Sequence, residues 1–204
     1  ILIEFPGRES EFSIDVVPAY ELLERNIYGE PVYSIPEVGV MTRSRRTKFY
    51  ESRDPSVQVK WIKTDPKGYI AAAKVTNDTS PSFRKATKLV KNWKQAWKEK
   101  KNFPNTEFKL KSFHLEIIIQ NLVDSDSGLG IVDAAQKVFE RMDYYVSAPR
   151  FRDRVQTKGE AVRYIDQYVV DLRPEEKRMI NIAARSALEI LRRLKASDTE
   201  SDVI

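Results

Sequence analysis

At 204 residues, with 41% hydrophobic and 32% charged side chains, the chain is long enough to bury a core of its own. It has no cysteine and a single histidine, His114, which excludes disulfides, thiolate metal sites and multi-histidine metal sites, and makes a reducing cytoplasm the expected compartment. The net charge of +5, from 35 basic and 30 acidic residues, suits a phosphate-rich ligand without requiring one; no apolar run reaches the roughly 18 residues of a membrane span, and the first residues do not read as a signal peptide, having no basic stretch followed by an apolar run.

In chain order, residues 1–5 and 12–17 read as two strands joined by the turn-forming Pro6-Gly7-Arg8-Glu9-Ser10. A strand at residue 1 that is not a methionine carries the expectation of further residues upstream. In the second strand Phe12, Ile14 and Val16 share one face and Ser13, Asp15 and Val17 the other. Residues 30–64, rich in Pro, Arg, Ser and Thr, read as strands and loops with apolar runs at 38–41 and 57–62. They carry a basic patch, Arg43, Arg45, Arg46 and Lys48.

From Asp65 the pattern turns helical. Asp65-Pro66 is an N-cap and first-position pair for a helix through about Asn77, and Ser80-Pro81-Ser82 breaks and restarts it. Helices are predicted at 82–101, 112–123, 131–145, 160–171 and 174–196, with a polar tail after them. The expected fold class is α+β, with a β-rich segment at 1–64, a helical lobe at 65–197 and a flexible tail at 198–204.

Three places hold candidate chemistry. Asp15 lies in an apolar strand, where a carboxylate needs solvent, a partner or a metal. In the 82–101 helix, Phe83, Ala86, Val90, Trp93 and Trp97 form a core stripe, beside a polar stripe of Arg84, Lys88, Lys91, Gln95 and Lys98. That polar stripe is either a solvated face or a phosphate-binding one. Ser112 stands where a helix N-cap would, and its hydroxyl with the free first-turn N–H groups suits a phosphate; Phe113 belongs to the core or to a ligand.

The strings around these residues carry a resemblance. Phe12-Ser13-Ile14-Asp15-Val16-Val17-Pro18-Ala19 resembles the third-carboxylate strand of the cGAS/DncV-like and oligoadenylate-synthase-like nucleotidyltransferases of the polymerase-beta superfamily. Lys88-Leu89-Val90-Lys91-Asn92-Trp93-Lys94 resembles their spine helix, and Lys111-Ser112-Phe113-His114-Leu115-Glu116 their serine-aromatic-leucine-glutamate motif. The likeness covers residues 1–123 well and weakens beyond 131. It implies a metal role for Asp15 with Mg²⁺ (or Mn²⁺), triphosphate contacts from Lys91, Lys88 and Ser112, and purine stacking on Phe113. His114 and Glu116 are then structural. The implied function is an ATP- or GTP-using nucleotidyltransferase making cyclic oligonucleotide signals in bacterial antiphage defence. Residues 1–64 are then the remainder of its catalytic domain, with nucleic acid or a regulatory protein as a further partner for the patch at 43–48.

The family's Gly-Ser signature and its Asp-x-Asp pair are missing from the chain. Asp124-Ser125-Asp126 reads as a turn at a helix end. One carboxylate does not assemble a two-metal site, so this chain alone is not expected to catalyse the reaction. A CCA-adding enzyme is the enzymatic alternative, since its third-carboxylate strand also reads Asp-apolar-Val-Pro. A non-catalytic module that binds nucleotide or nucleic acid is the alternative of another class.

Overall fold

The computed structural model describes residues 2–5, 12–15, 18–37, 60–99 and 107–201, and the expected α+β class holds. The chain divides into two units, residues 1–69 with 154–161 and residues 70–153 with 162–204.

In the first unit, β1 (Leu2–Phe5) and β2 (Phe12–Asp15) form the expected antiparallel hairpin, pairing Ile3 with Ile14 and Leu2 with Asp15. A separate antiparallel sheet runs β3 (Tyr20–Arg25), β4 (Pro31–Glu37), β5 (Lys60–Thr64), with β4 central. Pro36 lies in that central strand, a position where a missing N–H usually breaks a ladder. Here β3 begins at Tyr20 opposite Ser34, so at Pro36 the named strand pairing is with β5 alone. Five of the six side chains of β3 are exposed, on both faces, so the strand lacks the alternation that marks a half-buried strand in a sequence. The patch Arg43, Arg45, Arg46 and Lys48, the apolar run at 38–41 and residues 57–59 of the run at 57–62 lie outside the described residues.

Residues 154–161 complete this unit. Asn26 and Thr157 form an isolated bridge, and the Ile27 N–H donates to the Gln156 carbonyl at 3.0 Å. The Asn26 carboxamide oxygen accepts the N–H groups of Tyr28 (3.0 Å) and Glu30 (2.9 Å), closing a turn in which Gly29 takes φ of 77°. Helix α1 (Pro66–Thr79) starts as the Asp65-Pro66 pair predicts: Asp65 Oδ1 accepts the Gly68 N–H at 2.8 Å. A Cβ on Gly68 would lie 2.1 Å from Asp65 Oδ2, so only glycine fits beneath this capping carboxylate.

The second unit is helical: α2 (Ser82–Glu99), α3 (Ser112–Ser125), α4 (Ile131–Glu140), α5 (Met142–Ser147) and α6 (Pro174–Ser201). The predicted stripes form its core. Phe83, Ala86 and Val90 of α2 are buried with Leu115, Ile118 and Ile119 of α3, and Trp93 and Trp97 pack against them from the edge. Ile180, Ala183, Ala184, Ala187 and Leu188 of α6 close the cluster from another side. Transfer of such side chains from water contributes roughly 1.5–3 kcal/mol each for the larger ones, which is what holds these amphipathic helices together.

Two predicted helices differ. The 131–145 segment is two helices, because Arg141 leaves helical geometry (φ −113°, ψ 19°) and accommodates a bend with no proline or glycine to announce it. The 160–171 helix is not formed; only Gln167–Val170 is a short 3-10 turn. Its backbone is recruited elsewhere: Arg152 bridges Tyr164, and the buried Asp166 carboxylate accepts the N–H groups of Arg150 (2.8 Å) and Phe151 (3.1 Å). At the other end α6 continues to Ser201, past the predicted stop at 196. At its start Glu176 reaches back to accept the Arg173 N–H at 2.9 Å, which is the glutamate half of a capping box.

Candidate functional site

Within the helical unit, α1, α2 and α3 line an open cavity of about 490 Å³, in the range of small-molecule sites. Ile70, Ala73 and Phe83 give it apolar surface, while Lys74 and Asn77 of α1, Arg84, Thr87, Lys88 and Lys91 of α2 and Glu116 of α3 supply the polar groups. The helical period explains the assembly. Ile70, Ala73, Lys74 and Asn77 recur at i, i+3, i+4 and i+7, as do Arg84, Thr87, Lys88 and Lys91, so each helix presents one continuous stripe.

Four cations therefore face one carboxylate. Lys91 pairs with Glu116, whereas Lys74, Arg84 and Lys88 form no ion pair among the described residues. The Thr87 hydroxyl is buried, the residue being 8% exposed, and has no hydrogen-bond partner among the described residues. Such an arrangement stabilises an anion carrying several charges, and the apolar surface beside it suits a ligand with a planar, weakly polar part.

Helices α2 and α3 are held together by two rungs. Lys91 reaches Glu116, and one turn along, Lys94 Nζ donates to Ser112 Oγ at 2.8 Å. Burial is the main cause that holds the Lys94 ammonium below its usual range, with the nearby positive charges of Lys98 and Lys91 adding to it. Ser112 is the first residue of α3 and not its cap. The N-cap is Lys111, in extended geometry and with no side-chain cap, so the expected capping role of Ser112 is corrected. The correction leaves its hydroxyl at the positive end of the helix dipole, beside a lysine.

Lys88 and Lys91 are thus brought into one cavity, and Ser112 and Phe113 are not part of its lining. Phe113 is 39% exposed, so it is not a core residue. Asp15 is the last residue of β2 in the first unit. Glu116, read from sequence as structural, lines the cavity as well as joining the helices. Lys74, Asn77 and Thr87 were missed. The signal that finds them is the shared period of α1 and α2, read as two stripes facing one space.

His114 is structural, as expected. It is 1% exposed and makes edge-on contacts with Phe151 and Tyr168. Tyr168 Oη accepts the Lys111 N–H at 3.1 Å and lies 2.9 Å from His114 Nδ1, while His114 Nε2 faces Asp166 at 3.6 Å. Burial drives the His114 pKa down to about 4 against an opposing pull from Asp166, so the ring is neutral at pH 7. Burial likewise pushes the Tyr168 hydroxyl up to about 12.

Among the described residues no three His, Cys, Asp or Glu side chains converge as metal ligands, and Mg²⁺ needs several oxygens. No helix among them is long and apolar enough to cross a membrane. Comparison with protein-family models, with curated proteins and with solved structures returns no match.

Proposed function

We propose that the chain is the third-carboxylate strand and helical lobe of an Mg²⁺-dependent nucleotidyltransferase, using ATP or GTP, of the cGAS/DncV-like kind that makes cyclic oligonucleotide signals. The observation that carries this reading is the cavity at Lys88 and Lys91, the two lysines singled out by the spine-helix motif. It joins a cation excess to an apolar wall, as a nucleoside triphosphate requires. Lys88 and Lys91 bind phosphate oxygens, and Ser112 with the free N–H groups of the α3 first turn offers a neighbouring anion contact. Phe113 supplies an exposed aromatic face for the base.

The metal expectation rests on Asp15 and the sequence resemblance. A non-catalytic nucleotide-binding module draws on the same cavity and needs no Asp15. In the protein carrying a complete carboxylate set, Asp15→Asn abolishes Mg²⁺-dependent turnover under the enzyme reading; retained turnover excludes Asp15 from the site.

Nucleotide binding itself is tested on this chain by calorimetric titration with ATP and GTP. Lys91→Ala is expected to weaken binding more than Ser112→Ala. A charge-assisted bond contributes about 1.5–3 kcal/mol and a neutral hydroxyl about 1 kcal/mol. If both variants bind like the parent, the stripe is a solvated helix face.

A further inference from the structure

Glu116 is the one carboxylate lining a cavity of four cations, and its half-buried environment differs from that of the fully buried Glu176. Glu176 is anchored by Lys109 at 2.8 Å, by the Arg173 guanidinium at 2.9 Å and by the Arg173 N–H, and those contacts, Lys109 first, hold its pKa at about 2. The Glu116 side chain has Lys91 as its one polar partner among the described residues. Its side chain is 26% exposed and that of Lys91 35%, so the pair borders solvent and opens without stranding a charge in the core. The carboxylate occupies the ammonium of a cavity-lining lysine, as a bound phosphate would.

Resting on the reading that this cavity takes phosphate, we infer that Glu116 is an internal competitor for the ligand. In the empty cavity it holds Lys91. An incoming phosphate takes the Lys91 ammonium, and Glu116 turns to solvent. Lys74, Arg84 and Lys88 have no such competitor among the described residues, so they form the first contacts and Lys91 is released last. A ligand with a single charge gains little by breaking the Lys91–Glu116 pair. A polyphosphate, already held by the other three cations, gains a fourth contact. Glu116 thereby sets the charge a ligand must bring and keeps the empty site from filling with small anions.

The probe is inorganic tripolyphosphate, titrated calorimetrically into the 204-residue chain in metal-free buffer. Glu116→Gln keeps the side-chain volume and removes the competing charge, and it is expected to tighten binding about fivefold, the scale of one partly exposed ion pair. In a Lys91→Ala background the same substitution is expected to change affinity less than twofold, because the contested ammonium is gone. A full fivefold gain persisting without Lys91 overturns the inference in favour of a general field effect. So does a parent that binds while Glu116→Gln binds equally or more weakly, and that result leaves the phosphate site standing. Absence of binding by the parent and by Glu116→Gln, both folded by circular dichroism, removes the phosphate reading itself and the inference with it.

Discussion

In the first unit Arg154 and Lys63 are each shared by two carboxylates, whereas in the helical unit Lys74, Arg84, Lys88 and Lys91 share one. Arg154 lies 2.5 Å from Glu30 and 3.4 Å from the buried Asp65, with the Tyr28 ring 4.8 Å from its guanidinium carbon. Lys63 joins Glu24 to Glu160, at 2.6 Å from the latter, and is the main reason the Glu160 pKa falls to about 2. Asn26 Nδ2 donates to Glu30 (3.0 Å) and to Asp65 (3.3 Å), so the two carboxylates that share Arg154 are also tied to each other. Cations neutralised this way fix a fold, because the hydrogen bonds are already made when any ligand arrives. Cations left in excess along a cavity have their bonds still to make. Position along the chain does not separate the two classes; the carboxylate balance around each does.

The comparison breaks first at Asp65, where the largest effect is expected. Asp65→Ala removes the α1 cap and strands part of the Asn26 and Arg154 bonding, at a cost of roughly 3–5 kcal/mol. Tripolyphosphate affinity of the folded fraction is expected to stay at the parent value. Urea denaturation followed by circular dichroism gives the first quantity and calorimetry the second. A stable variant with impaired binding would place Asp65 among the ligand-binding groups.

The buried His114 cluster tests whether the helical unit also contains polar groups that serve the fold alone. Folded His114 takes up its proton near pH 4 and the unfolded residue near 6.5. Between those values the unfolded state binds more protons, so stability falls as the pH drops from 6.5 to 4 and levels off below that, by about 3 kcal/mol in total from this group. His114→Gln is expected to remove that slope, whatever it does to the absolute stability. Denaturation midpoints at a series of pH values measure it, and an unchanged slope in the variant assigns the acid sensitivity to other groups.

Phe113 gives the smallest change in stability and sharpens the ligand side. Since it is 39% exposed, Phe113→Ala is expected to cost under about 1 kcal/mol, far below the roughly 3–5 kcal/mol of a buried phenylalanine. Purine nucleotide binding is expected to weaken several-fold, on the scale of one lost stacking contact. Unchanged ATP affinity with a lowered melting temperature would reverse the assignment.

Much of this was legible along the chain because it depends on near neighbours. The three- and four-residue spacing of Phe83, Ala86 and Val90, and of Ile180, Ala183, Ala187 and Leu188, identifies the buried faces since helical geometry is repetitive. Asp65-Pro66 marks a helix start because the cap bond spans three residues. The cation stripe of α2 follows from the same period. The fate of each cation does not. Lys91 meets a glutamate 25 residues away and Lys94 a serine 18 residues away, while Arg154 meets an aspartate 89 residues before it. The segment 160–171 has helical spacing, yet Asp166 turns inward to take the N–H groups of Arg150 and Phe151, and the helix is lost. Sequence by itself determined which faces of the helices are apolar and which carry charge, because those properties are periodic and local. The tertiary structure decided which charges are satisfied, because a side chain's partner is set by where distant segments pack, and so it alone separates Arg154, a structural cation, from Lys88, a cation without an ion-pair partner among the described residues.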